Sequence, residues 1–486
     1  MTAPTPSHSH SASGAHPTAT TGEDFAFVLA RFACGITLAK LPGDVIDAAK
    51  ANIFDTLACA AAGSSAPAVA ETRGLATEWG GAPQATILAF GDKVPAHHAA
   101  WVNATMAHAR DYDDTHDAAV LHAGVSVVPA ALAAAELRGG ASGADFIAGV
   151  AAGLETICRL GVATRIGIVE SGFIYTPLFG YFAATVAAGR VIVLDTTQMV
   201  NAIGIAYSQV SGNHQVTRDG ALTKRMQPGF AAKSALMSVQ LAQRNVRGAQ
   251  ATFEGVDGFL RVYLRDQCDR DALRDGLGEH YEFTQLSYKP YPCCRFNHTA
   301  LDAALALRAS GAISTQQVLR VRVGVTRQAY EAVCTPVAVR KAPETIVHAQ
   351  FSIPFTVATA LIDGNVSLSH FSESSIHRKD ILALAQRVEA YVDEDIEREW
   401  SRSISPANVQ IDMQDGTTHH LRIDLPLGHP SRPMSVADFD IKAADCFRIS
   451  AHPLRENAHR QLRDLVDGLE SLGDVRGLAR ALDPVL

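Results

Sequence analysis

The sequence has no excess of positive charge, few cysteines for its size and no uninterrupted apolar run of membrane-spanning length. With 42 Lys+Arg against 50 Asp+Glu the formal charge is -8, so no overall positive field exists to hold nucleic acid or an anionic membrane. The 8 cysteines among 486 residues are scattered, without C-x-x-C pairs or the density of a disulfide scaffold, which fits a reducing cytoplasm. The longest apolar stretches, such as residues 123–137, contain Pro129 and Glu136 and fall short of the ~18 residues that a span requires. The signatures G-x-G-x-x-G, P-loop, H-E-x-x-H and G-x-S-x-G are also missing, which removes the usual nucleotide, zinc-protease and serine-hydrolase readings.

What is present is apolar. Hydrophobic residues make up 47% and charged residues 19%, enough for a large core in a folded, soluble protein. At roughly 150 residues per domain the length suggests two or three domains. Residues 1–21 are rich in Ser, Thr, Pro and His and lack a basic n-region and an apolar h-region; a disordered tail is expected there rather than a signal peptide. Residues 22–283 show helical spacing and many small residues, as a buried multi-helix assembly requires. Asp44 is a candidate N-cap, Ser142 and Asp145 form a capping-box-like pair, and Pro228-Gly229 is expected to precede a helix from Phe230.

The texture changes over residues 284–428, where an α+β region is expected. Val321, Val323 and Val325 alternate with polar or small residues, and Val409, Ile411 and Met413 are joined through Asp415-Gly416 to Leu421, Ile423 and Leu425 in a hairpin pattern. Helical stretches are expected at 298–309, 351–362 and 379–392. Residues 429–486 return to helical spacing and are expected to pack back on the first region. The fold class expected is mainly α, a large all-helical domain with a smaller α+β domain.

Three polar segments stand out. The first runs from Arg110 to Asp117 and on to His122, with five charges and two histidines between two apolar helices. Carboxylates and imidazoles so placed suit the lining of an acid–base pocket; a solvated acidic loop explains the same spacing. An EF-hand fails, because His116 and His122 stand where Gly and Glu are needed. A metal phosphohydrolase would use His116-Asp117 with ligands from His97, His98 or His108. The second segment carries Lys224 and Arg225 beside a helix start, an arrangement that attracts carboxylates; an ordinary exposed basic loop is the alternative. In the third, two prolines stiffen a run with Lys289, Cys293, Cys294, Arg295 and His298, whose adjacent cysteines are too close for an iron–sulfur motif.

Together these segments resemble the MmgE/PrpD family. The resemblance rests on Asp-Tyr-Asp-Asp-Thr-His at 111–116, His122 with Pro129-Ala130, Gly172-Phe173, Gly180-Tyr181-Phe182, Lys224 with Pro228-Gly229, Lys289 to His298, and Phe351 to Phe355 with Asp363-Gly364. It implies a large helical domain with an α+β lid, a homodimer, and no required metal or organic cofactor. It also implies chemistry on a small anionic di- or tricarboxylate, with neither nucleic acid nor membrane as partner. The activity implied is that of a 2-methylcitrate dehydratase-like lyase; a dicarboxylate epimerase or a carboxylate-binding homologue without turnover are the alternatives. The catalytic residues it implies are Asp111, His122, Lys224 and Lys289, with His122 or Asp111 moving the proton. Substrate-binding residues would be Thr115, Arg225, Cys294, Arg295 and His298, with Tyr175 replacing a lost imidazole. The sequence departs from the family at Ile174-Tyr175 in place of His-Pro, at Gln227 where His is frequent, and at Cys294 and Phe355 where the decarboxylase branch has His and Tyr. These departures disfavour decarboxylation of cis-aconitate, and Ile174 sets the chain apart from standard methylcitrate dehydratases.

Overall fold

The computed structural model describes residues 22–400 and 406–485; the tail expected at 1–21 lies outside them. Helices take 58% of the described residues and strands 10%, so the protein is mainly α, as the periodicity indicated.

The helices that frame the site are α1 (Gly43–Gly63), α2 (Ala96–His108), α3 (Gly124–Leu137), α4 (Gly143–Ala163), α5 (Tyr175–Ile192) and α6 (Thr223–Gln243). Their small residues let the axes approach closely. A Cβ at Gly63 would lie 1.8 Å from the Met106 carbonyl oxygen, and one at Gly153 would meet Ala187 and Val127 at 2.8 Å. Ser142 caps α4 by accepting from the Asp145 amide, but two expected starts move. Helix α1 begins at Gly43, so Asp44 lies in its first turn without capping it. Helix α6 begins at Thr223 and carries Pro228 inside it. The proline forgoes one bond to the Lys224 carbonyl while Gln227, Gly229 and Ala231 bury the helix, and packing outweighs the lost bond.

Helix α4 is long and apolar enough to cross a membrane, although Glu155 and Arg159 interrupt its apolar run. Its most apolar window is 94% buried inside the protein, so burial against α5 accounts for its composition.

Two apolar cores are present. The larger draws on residues 25–286, Leu368 and residues 443–482; the second draws on residues 293–413. In the second, helices α7 (His298–Ala309) and α8 (Ile353–Asp363) pack with strands β1 (Val318–Val325), β2 (Val388–Val392), β3 (Ala407–Met413) and β4 (Thr418–Ile423). The strand order is β2-β1-β3-β4, with β1/β2 parallel and the other pairs antiparallel. Ala407, Val409, Ile411 and Met413 alternate inward along β3, and Gly416 turns the hairpin at φ 86°. The helix expected at 379–392 ends at Ala385, and Val388–Val392 is instead the edge strand β2. From the C-terminal segment, α9 (Val436–Arg448) contributes Ala443, Cys446 and Phe447 to the larger core.

Candidate active site

The acidic segment occupies the connection between α2 and α3. Asp114 accepts hydrogen bonds from the Ala123 and Gly124 amides at 2.8 and 3.0 Å, satisfying the first donors of α3. Burial, then the charge of Asp113, pushes the Asp114 carboxyl up, against the pull of those amides. The same segment is fixed to the third one: Thr115 and His116 pair antiparallel with Ser287 and Leu286, and the Tyr112 hydroxyl donates to the Pro290 carbonyl at 3.1 Å. Lys289 lies between these two ties and meets Asp111.

Lys289 is 1% exposed and donates to the Asp111 carbonyl at 3.0 Å and to its Oδ1 at 3.1 Å. Asp111 adopts φ 53°, a left-handed conformation in which Asp is one of the tolerated residues, and its Oδ2 is buried without a hydrogen-bond partner. Burial would raise the Asp111 carboxyl, but the ammonium groups of Lys289 and Lys224 outweigh it and hold it well below the usual carboxylate range. Asp111 is therefore a permanent anion near neutral pH and a poor proton acceptor.

His122 is placed differently. Its Nδ1 faces the Asp114 carbonyl at 2.6 Å and Asp113 Oδ2 at 3.0 Å. Neither can donate, so Nδ1 carries the proton and Nε2 presents the lone pair. Its side chain keeps 20% of its surface exposed, while Asp113 has none. Of the two candidate proton carriers, the geometry favours His122. The same Asp113 Oδ2 accepts from His108 Nδ1 at 2.8 Å; burial lowers His108 to about 4, leaving it neutral.

His108, Asp113 and His122 also form the one group of possible metal ligands within 4.8 Å of one another among the described residues. They do not fit that use: each Nδ1 is committed as a donor to an acceptor, and a metal needs the lone pair. The phosphohydrolase set also disperses, with His116 bonded to Glu282 at 3.1 Å, Asp117 to Ser287, and His97 and His98 in an aromatic cluster with Trp79.

Lys224 and Arg225 occupy the first turn of α6, which has no acidic residue there. Two cations at the positive end of a helix oppose the macrodipole, an arrangement that an anion would relieve. The Lys224 ammonium makes no hydrogen bond or ion pair among the described residues, yet its charge is felt at Asp111, His108, Cys294 and His214. Arg225 donates to the Pro67 carbonyl at 3.3 Å; burial lowers it and Asp111 opposes the shift. The Cys294 thiol is pushed up to about 11 by burial and then by Asp111, so it is neutral near pH 7.

Asp111, His122, Lys224, Lys289, Arg225 and Cys294 thus share one electrostatic neighbourhood. Thr115 joins it through its backbone ladder with Ser287, and its hydroxyl makes no hydrogen bond among the described residues. The remaining expected residues have partners within the chain. Arg295 bonds to the Leu427 carbonyl at 3.1 Å and stands 3.5 Å from Asp117, so a carboxylate of the chain already faces it. His298 is fully buried against the Cys293 carbonyl, 3.3 Å from Arg295, and feels the charges of Lys289 and Asp111. Tyr175 stacks on Phe179 and donates to the Ile166 carbonyl, which removes it as a replacement imidazole. The reading from sequence missed Asp113, the pairing of His108 with it, and Gln350, whose amide donates to the Arg110 and Pro292 carbonyls at 2.9 and 3.0 Å. Asp113 lay inside the acidic run without being singled out, and His108 carried a signal as a histidine at the end of the helix leading into it.

Residues 28–270 match the MmgE/PrpD N-terminal domain and residues 291–467 the MmgE/PrpD C-terminal domain. The chain belongs to the MmgE/PrpD family. Among curated MmgE/PrpD-like relatives, the cis-aconitate decarboxylase of Aspergillus terreus is 26% identical over 477 residues, covering 94% of this chain and 95% of its own. The enzymes of the same name from Homo sapiens and Mus musculus are 24% and 23% identical, each pairing covering 92% of this chain and 92% and 91% of theirs. The family and these relatives support lyase-type activity of the dehydratase or decarboxylase kind.

Proposed function

We propose that the chain is a cofactor-independent lyase of the dehydratase type, acting on a small di- or tricarboxylate in the manner of a 2-methylcitrate dehydratase. The observation that carries this reading is the pairing of a histidine whose Nε2 is left basic with an unpaired ammonium, Lys224, around the fixed ion pair Asp111–Lys289. Substrate carboxylates bind Lys224 and Arg225. His122 Nε2 takes the proton from the carbon next to a carboxylate, and the electron pair is held as an enolate stabilised by the cations. That pair then forms the double bond as the hydroxyl on the neighbouring carbon leaves, taking the proton back from the His122 imidazolium as water.

Decarboxylation is the second reading, favoured by the names of the relatives. Against it stand the neutral Cys294 thiol and Phe355, which is buried in the second core near Phe371. An epimerase would use the same abstraction and return the proton to the opposite face. We also propose a cytoplasmic homodimer. All the cysteines are unpaired, and Trp79, Met237 and Leu241 expose large apolar side chains that a second copy could cover.

Incubation with 2-methylcitrate, citrate and cis-aconitate, followed by absorbance of the unsaturated product and by release of carbon dioxide, tests the reading. Absorbance from a hydroxy acid is expected. Carbon dioxide from cis-aconitate alone would move the assignment to decarboxylation, and silence from a folded protein would contradict both.

A further inference from the structure

We propose that Asp113 is a positioning residue for the reaction, a buried carboxylate that holds His122 in its basic tautomer and stabilises the cation that His122 becomes. The proposal rests on the reading of His122 as the base. Asp113 has no exposed surface, and burying a carboxylate is costly unless it is paired or well hydrogen-bonded. Its Oδ2 accepts from His108 Nδ1 at 2.8 Å and lies 3.0 Å from His122 Nδ1, whose hydrogen bond goes to the Asp114 carbonyl at 2.6 Å, while Oδ1 has no hydrogen-bond partner.

The two histidines are not equivalent. His108 is enclosed at the end of α2 and remains neutral, so it contributes one fixed donor and no charge. His122 faces outward with its second nitrogen unbonded, and the two rings meet edge to face with centroids 4.9 Å apart. When Nε2 gains a proton, the positive charge spreads over a ring whose Nδ1 already lies 3.0 Å from an anion. That anion is pre-oriented by His108, so no reorganisation is needed at the moment of transfer. The Asp114 carbonyl supplies direction without net charge. Of the other charged groups around His122, Asp111 is occupied by Lys289, and Asp114 by the amides that begin α3. Lys224 on α6 is the nearby cation, its charge felt at Asp111 and His108.

The test uses the full chain with whichever of 2-methylcitrate, citrate or cis-aconitate it turns over, and citrate as the probe for thermal stabilisation. Asp113→Asn keeps the shape and removes the charge. It is expected to lower kcat by about a hundredfold or more, leaving KM and the stabilisation by citrate unchanged, while His122→Asn is inactive. If Asp113→Asn turns over within threefold of the parent and His122→Asn is dead, the proposal falls and the reading of the base survives. Normal turnover by His122→Asn overturns both. Nitrogen-15 resonances of the unaltered protein provide a check independent of folding in the variants: His122 should carry its neutral-state proton on Nδ1. A proton on Nε2 would overturn the proposal.

Discussion

The larger core contains one buried Lys–Asp pair and borders another, and the two behave oppositely. Lys442 on α9 lies 2.5 Å from Asp55 Oδ1 on α1, donates to the Tyr112 carbonyl at 2.7 Å and sits 4.5 Å from the Tyr112 ring centre. Lys289 meets Asp111 at 3.1 Å. Burial raises Asp55 to about 6, because Lys442 alone opposes burial and Asp114 and Asp113 reinforce it. Asp111 shifts downward because it has two lysines instead of one. The ion pairs are chemically alike; their surroundings make one a closed structural tie and the other an excess of positive charge. A site for an anion is recognised by the cation left over after internal pairing, and here that cation is Lys224.

The largest expected effect separates the pairs by function. Lys289→Met should cut kcat/KM by about a thousandfold, the range seen when one electrostatic stabiliser is removed, with a smaller loss of stability because Lys224 still faces Asp111. Turnover near that of the parent would take Lys289 out of the mechanism. Lys442→Met should do the reverse, lowering unfolding free energy by about 3–5 kcal/mol, because Asp55 is left buried and unpaired, while the folded fraction keeps its kcat. Denaturant unfolding and active-site-normalised kinetics decide between them.

Acid should act through His108. Burial lowers its folded value from 6.5 to about 4, so below 6.5 the unfolded chain binds the proton more readily than the folded one. Stability is present above that value and lost as pH falls toward 4, by about 3 kcal/mol for this group. Unfolding curves between pH 7 and 4 for the parent and His108→Gln should show a shallower dependence in the variant; identical slopes would mean that His108 is not held neutral. The smallest effect sharpens the structural side. Adding Asp55→Asn to Lys442→Met should recover about 1–2 kcal/mol by removing the orphaned charge, and no recovery would show that the pair is not what ties α9 to α1.

Periodicity made much of the fold legible before any coordinates. The inward alternation of β3 and the cap at Ser142 are local patterns, and both appear as read. Strand β2 was hidden because Glu389 is exposed on the sheet edge and the helix before it ends only three residues earlier. Lys442 gave no sign either: on an amphipathic helix a lone lysine reads as solvated, and only the packing of α9 on α1 buries it. The same limit applies to the site. Asp111, Lys224 and Lys289 were visible as residue types beside family motifs. That Arg295 faces Asp117, and that Asp113 is shared by two histidines, depends on long-range pairing such as Thr115 with Ser287, which no spacing encodes.

The central claim is that Lys224 and His122 act on the same bound anion. A structure of the chain with citrate tests it most directly: one citrate carboxylate should lie within hydrogen-bond distance of Lys224 Nζ, with His122 Nε2 facing the adjacent carbon. Citrate bound elsewhere, with Lys224 and Lys289 turned apart into solvent, would contradict it.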